Sequence, residues 1–123
     1  MATRKEAATS FLRMATSGRA REAFARHAAD SFRHHNPFFE DGADALMTAM
    51  DENARQNPDK QLSVLRAIED GDLVAVHSHV RQKPGDRGAA VVHLFRFDGD
   101  RIVELWDVGQ EVPQDSVNPN GMF

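Results

Sequence analysis

His93 and Asp107 are the two side chains of this sequence best suited to move a proton. Each lies in a stretch of alternating apolar and polar residues, 89–97 and 101–112, and only Asp98-Gly99-Asp100 separates the two. That pattern predicts an antiparallel hairpin. Val91, His93, Phe95 and Phe97 share one face of its first strand, opposite Val92, Leu94 and Arg96. On the second strand Val103, Leu105, Asp107 and Gly109 share a face, opposite Ile102, Glu104, Trp106 and Val108. A three-residue loop pairs Phe97 with Arg101 and His93 with Leu105, which puts Asp107 on the His93 face. A two-residue turn exchanges the sets and sets His93 against Trp106. Periodicity leaves both open. In the first arrangement a carboxyl group and an imidazole sit among Val91, Phe95, Val103 and Leu105. Burial there raises a carboxyl pKa towards the range useful for acid/base chemistry, and a protonated histidine alongside opposes the rise. The same arrangement pairs Arg96 with Ile102 and lets it reach Glu104 diagonally on the outer face. The plainer account of Asp107 is a strand-end aspartate bonded to a turn.

The sequence has six histidines among its 123 residues, which raises the question of a metal. His77-Ser78-His79 falls on a predicted strand, so both imidazoles point to one face. Gly71, His77 and His79 reproduce the opening of the cupin metal motif, but Lys83 and Pro84 stand where its glutamate is needed. Helices before strands are also wrong for a cupin. The expectation is no metal and no cofactor, with the two histidines lining a polar face. The absence of cysteine excludes disulfides, thiolate metal sites and a cysteine nucleophile. Nineteen acidic against fifteen basic residues give a net charge of −4, with the signs interspersed. No basic stripe marks a nucleic-acid groove, and no apolar run reaches the ~20 residues of a membrane span. The N-terminal charges have no apolar run behind them, so the expectation is a cytoplasmic protein without a signal peptide.

The elements that must position these groups follow from the apolar period. Residues 3–16 carry Ala7, Phe11, Met14 and Ala15 at helical spacing and stop at Ser17-Gly18. A second helical stretch aligns Ala20, Phe24, His27 and Ala28, and a short segment, 31–36, precedes Pro37. Asp41 is the expected N-cap of a third helix that runs to about Gln56 on Leu46, Ala49, Met50 and Ala54. After Pro58 the period becomes two, which predicts four strands at 62–68, 73–81, 89–97 and 101–112 with short, turn-rich connections. Helices first and antiparallel strands after predict an α+β fold with the helices on one face of a curved sheet. A length of 123 residues fits one domain, 1–123, in which 113–123 is a tail ending in Met122-Phe123.

Asp70-Gly71-Asp72-Leu73-Val74-Ala75-Val76-His77, the run from Val91 through Asp107 to Val108, and His35-Asn36-Pro37 together resemble the SnoaL-like polyketide cyclases. These share a superfamily with ketosteroid isomerase, limonene epoxide hydrolase, scytalone dehydratase and nuclear transport factor 2. The ending Asn118-Pro119-Asn120-Gly121-Met122-Phe123 is similar to that of the branch assigned to aldol condensation. The resemblance implies a cone: a curved, mainly antiparallel sheet, closed by the N-terminal helices around a deep apolar pocket. It also favours the arrangement with His93 and Asp107 inside. Asp107 then falls on or near the acid/base aspartate of the cyclases. His93 matches the oxyanion-stabilising position of ketosteroid isomerase, whose base position holds Asn36 here.

The implied activity is cofactor-independent proton transfer on a small apolar carbonyl compound, as in aldol cyclisation, isomerisation or dehydration. Asp107 would take the proton, and His93 with Asn36 would donate hydrogen bonds to the enolate oxygen. His35, His77, Val91, Phe95 and Leu105 would contact the substrate. The alternatives are a binding protein for a small hydrophobic molecule and a purely structural dimer. The relatives imply a homodimer through the convex face that bears Arg96, Glu104 and Trp106. The tail is expected to be ordered, with Phe123 over the pocket mouth or on a neighbouring protomer.

Overall fold

A computed structural model describes residues 2–123. Three helices, α1 (Arg4–Thr16), α2 (Ala20–His27) and α3 (Ala43–Gln56), accompany five strands. The strands are β1 (Ala28–His34), β2 (Gln61–Asp70), β3 (Leu73–Arg81), β4 (Ala89–Asp98) and β5 (Arg101–Glu111). They form one sheet in the order β1-β5-β4-β3-β2, antiparallel throughout except for the parallel β1–β5 pair. The α+β expectation holds, with one more strand than the apolar period disclosed. Residues 28–31 continue the helical pattern of α2 in type but run extended, and only Phe32 and His34 of β1 turn fully inward. Among the described residues no helix is long and apolar enough to cross a membrane.

Helix α1 starts on a reciprocal cap. The Thr3 hydroxyl accepts from the Glu6 amide at 3.1 Å, and the Glu6 carboxylate accepts from the Thr3 amide at 3.2 Å. Its buried side, Ala7, Ala8, Phe11, Leu12, Met14 and Ala15, lies on the inner face of β2 and β3. The Arg4 guanidinium donates to the carbonyls of Gly71 (2.8 Å) and Gly99 (3.0 Å), fastening this helix to the tips of the β2–β3 and β4–β5 hairpins. Asp41 does not cap α3. Gly42 takes that place with φ of 93° and no side-chain bond, while the Asp41 carboxylate accepts from the Gly42 and His34 amides.

The core is a chain of edge-on aromatic rings. Phe11 meets Phe24 at 5.0 Å and Phe95 at 5.8 Å, and Phe24 meets Phe32 at 5.0 Å. Leu46, Val74, Val76, Phe97, Ile102 and Leu105 complete it from α3 and the sheet.

The register of the β4–β5 hairpin matches neither expectation alone. Asp98 pairs with Arg101 and Phe97 with Ile102, so the turn is the two-residue Gly99-Asp100. Val103 then bulges out of the ladder, and pairing resumes with Arg96 opposite Glu104, Phe95 opposite Leu105 and His93 opposite Asp107. The bulge restores the parity that the short turn had reversed. His93 and Asp107 therefore share the inner face, and Arg96 pairs with Glu104 directly instead of with Ile102, at 2.9 Å from Nε to Oε1.

Residues 113–123 cross the outer face. Phe123 stacks on His79 (4.0 Å between centroids, 20°) and lies 6.2 Å from His77, after a turn in which Asn118 accepts from the Asn120 amide. It does not reach the mouth of a pocket.

Gly88 opens β4 with φ of +74°, and a Cβ there would collide with the Val80 carbonyl oxygen. Gly88→Ala should cost at least about 2 kcal/mol, from left-handed backbone strain plus displacement of the end of β3 at Val80. Gly85→Ala, with φ of +85° and open space around it, carries the strain alone. Equal losses in denaturant midpoint for the two variants would contradict this reading of Gly88.

Candidate functional site

Parallel pairing of β1 with β5 brings the loop after β1 to Asp107. His34 pairs with Leu105, so Asn36, two residues on, arrives beside Asp107. There the Asn36 amide Nδ2 donates to Asp107 Oδ2 at 3.0 Å. Asn36 is held in turn, since its Oδ1 accepts from the Phe38 amide at 3.0 Å and its own amide donates to His34 Nδ1 at 3.1 Å. With Nδ1 accepting, His34 carries its proton on Nε2 and donates it to the Glu40 carbonyl at 2.7 Å. This half-buried chain from Glu40 through His34 and Asn36 fixes the Asp107 carboxylate.

Asp107 and His93 open onto one cavity of about 210 Å³, whose other walls are Leu12, Ala15, Thr16, Met50, Lys60, Leu62, Val80 and Val91. Helices α1 and α3 roof it, and β2 to β5 supply the floor. His93 Nδ1 is buried with no hydrogen-bond partner among the described residues. Such an atom costs about 1–3 kcal/mol in a folded protein. Burial pushes the His93 pKa down to about 4, Asp107 pulls it back up, and the Lys60 charge pushes it further down. The imidazole is therefore uncharged at neutral pH, a donor at one nitrogen and an acceptor at the other.

Linkage gives this shift a measurable sign. An unfolded histidine protonates near 6.5 and the folded His93 only near 4. The stability it confers is complete above 6.5 and is lost as the pH falls to 4, by on the order of 3 kcal/mol. His93→Gln should flatten the melting temperature across that window, and an unchanged acid slope would refute the assignment.

Two residues singled out for substrate contact lie on the other side of the sheet. His35 stacks on Trp106 at 4.9 Å and 4°, with its Nε2 at 2.5 Å from Glu104 Oε2. His77 alternates with the inward-facing Val76 and Ser78, so its ring meets Arg66 and Phe123 outside. Strand alternation explains both, because neighbours of inward residues must face out. Phe95 and Leu105 face inward but belong to the core beneath the cavity, while Val91 lines it. On the outer face Glu104, only 6% exposed, gathers Arg33, His35 and Arg96. The His35 and Arg96 hydrogen bonds hold its carboxyl below the usual carboxylate range. Sequence reasoning passed over His34 and Lys60. Lys60 continues the inward alternation of Leu62 and Val64, a signal present in the sequence.

A model of the SnoaL-like domain matches residues 8–105. The chain belongs to the SnoaL-like family. Solved structures agree with this SnoaL-like assignment at the level of fold. AclR of Streptomyces galilaeus, a candidate hydroxylase, superposes with a TM-score of 0.72 at 21% identity, over 87% of this chain and 88% of its own. A candidate SnoaL-like isomerase of Agrobacterium tumefaciens gives 0.72 at 13% identity, over 89% and 99%. A candidate ketosteroid isomerase of Kribbella flavida gives 0.69 at 21% identity, over 94% and 83%. Comparison with curated proteins finds no match. The SnoaL-like fold carries isomerase and hydroxylase descriptions alike, so chemistry must be argued from this cavity.

Proposed function

We propose that this domain is a cofactor-independent acid/base enzyme that removes a proton α to the carbonyl of a small apolar compound. The observation that carries the reading is the Asp107 carboxylate, oriented by Asn36 at 3.0 Å, opening onto a largely apolar cavity beside an uncharged, buried imidazole. Asp107 is the base. His93 is the donor to the enolate oxygen, a role an uncharged imidazole fills through its N–H. Asn36 spends its amide on Asp107 and is therefore a positioning residue. Val91, Leu62 and Met50 offer apolar contact to the substrate. Aldol cyclisation, isomerisation and dehydration all begin with this step. The test is exchange of α-hydrogens of small cyclic ketones in D2O, followed by proton NMR. Exchange above the buffer rate supports the reading, and a buffer rate across the series removes it.

Assembly as a homodimer through the outer sheet face belongs to the same proposal. Ile68, Leu73, Leu94 and Val108 are exposed there, and such an interface should bury more than about 1,000 Å². Sedimentation should give twice the chain mass at micromolar concentration. A monomer would remove the assembly and leave the cavity chemistry intact.

A further inference from the structure

Among the described residues, Lys60 is the one that brings an amine to the cavity that holds Asp107 and His93. Its backbone is pinned at the entry to β2, where its amide donates to the Asn57 carbonyl at 3.1 Å. Its Nζ donates to Asn53 Oδ1 at 2.7 Å, and no carboxylate pairs with it among the described residues. Leu12, Ala15, Met50 and Leu62 surround the space it faces, and Lys60 also borders a surface cleft with Thr16, Ser17, Asp51 and Arg55. A lysine so placed presents a primary amine to an apolar site, the desolvated setting in which lysine becomes a nucleophile, and Asp107 on the same cavity can carry protons.

We propose that Lys60 forms an imine with the carbonyl carbon of an aldehyde or ketone bound in this cavity. The inference rests on the carbonyl-compound reading above and deepens it: an iminium makes the α-hydrogen more acidic than the free carbonyl does, Asp107 then removes it to give an enamine, and the His93 N–H serves the substrate oxygen only until that oxygen leaves as water. Unprotonated Nζ attacks the carbonyl carbon, a C–N bond forms, and the carbonyl π pair moves to oxygen. A proton passes from nitrogen to that oxygen through Asp107, giving a carbinolamine. A second proton transfer expels the oxygen as water and leaves C=N. One amine and one carbonyl give one imine and one water, with no oxidant or reductant. Burial lowers the Lys60 pKa, which raises the share of unprotonated amine near neutrality.

The chain has three lysines, Lys5, Lys60 and Lys83, and both others are exposed. That makes the test direct. The intact protein is incubated with cyclohexanone or benzaldehyde and sodium cyanoborohydride, and the reduced adducts are mapped by peptide mass. Lys60 should label at least about tenfold faster than Lys5 or Lys83, despite being less exposed than either. Lys60→Arg should abolish the fast adduct, and Asp107→Asn should slow it. Labelling of Lys60 no faster than the exposed lysines overturns the proposal. Fast labelling without α-hydrogen exchange keeps Lys60 as the nucleophile and rejects Asp107 as the base. Exchange without fast labelling does the reverse.

Discussion

Asp107→Asn should lower the rate of α-hydrogen exchange by about 10²–10⁴-fold while leaving the fold intact. The change removes a basic oxygen pair and little else. Asn36 Nδ2 now donates to Asp107 Oδ2 at 3.0 Å, and an asparagine at 107 can present its amide oxygen to the same donor. The chain through His34 to Glu40 therefore persists, so lost rate reports lost base and not lost shape. Asn36→Ala leaves the carboxylate in place but unheld, and should cost only about tenfold. A catalyst and a receptor part company here. A binding protein would hold its apolar ligand through Asp107→Asn, since the Leu12, Met50, Leu62 and Val91 walls are untouched. Equal exchange by wild type and Asp107→Asn would end the catalytic assignment.

Phe11→Ala should be the most damaging single core change, at about 3–5 kcal/mol. Phe11 is fully buried and its ring edge joins α2, through Phe24, to β4, through Phe95. Removing it opens a hole where three elements meet, and small domains have only about 5–15 kcal/mol in total. The same helix roofs the cavity with Leu12 and Ala15, so exchange activity should fall together with the denaturant midpoint. Phe38→Ala is the control. That ring is 85% exposed, and its loss should stay within about 0.5 kcal/mol. A loss under 1.5 kcal/mol for Phe11→Ala would mean that α1 is not keyed into the sheet through this ring.

Helices α1 and α3 and strands β2 to β5 are legible because each has a sustained apolar period of one kind. Strand β1 is not, because Ala28, Ala29, Asp30 and Ser31 are poor strand formers, and of the four only Ala28 has a partner in the β5 ladder, Ile102. His93 and Asp107 could be assigned to faces within their own strands, yet their mutual placement turned on one unpaired residue, Val103. A bulge has no strong residue signature, so the two-residue turn alone would have separated them. His35 and His77 attracted attention by type; the alternation of β3 already sent His77 outward, whereas His35 follows a strand that the sequence did not disclose. His34 escaped notice because its work is to hold Asn36, a role that exists only once β1 lies against β5.

The extra residue at Val103 makes chain length, rather than residue identity, the switch between two surfaces of β5. Loss of that one residue would change no side chain elsewhere and yet turn the strand over beyond it, moving Asp107 to the solvent side and Trp106 towards the interior. The scaffold would still have its hairpin, its turn and its cap, but His93 would face the cavity without Asp107. Single-residue insertions and deletions at this point are thus a short evolutionary step between a sheet that turns Asp107 into the cavity and one that turns it out.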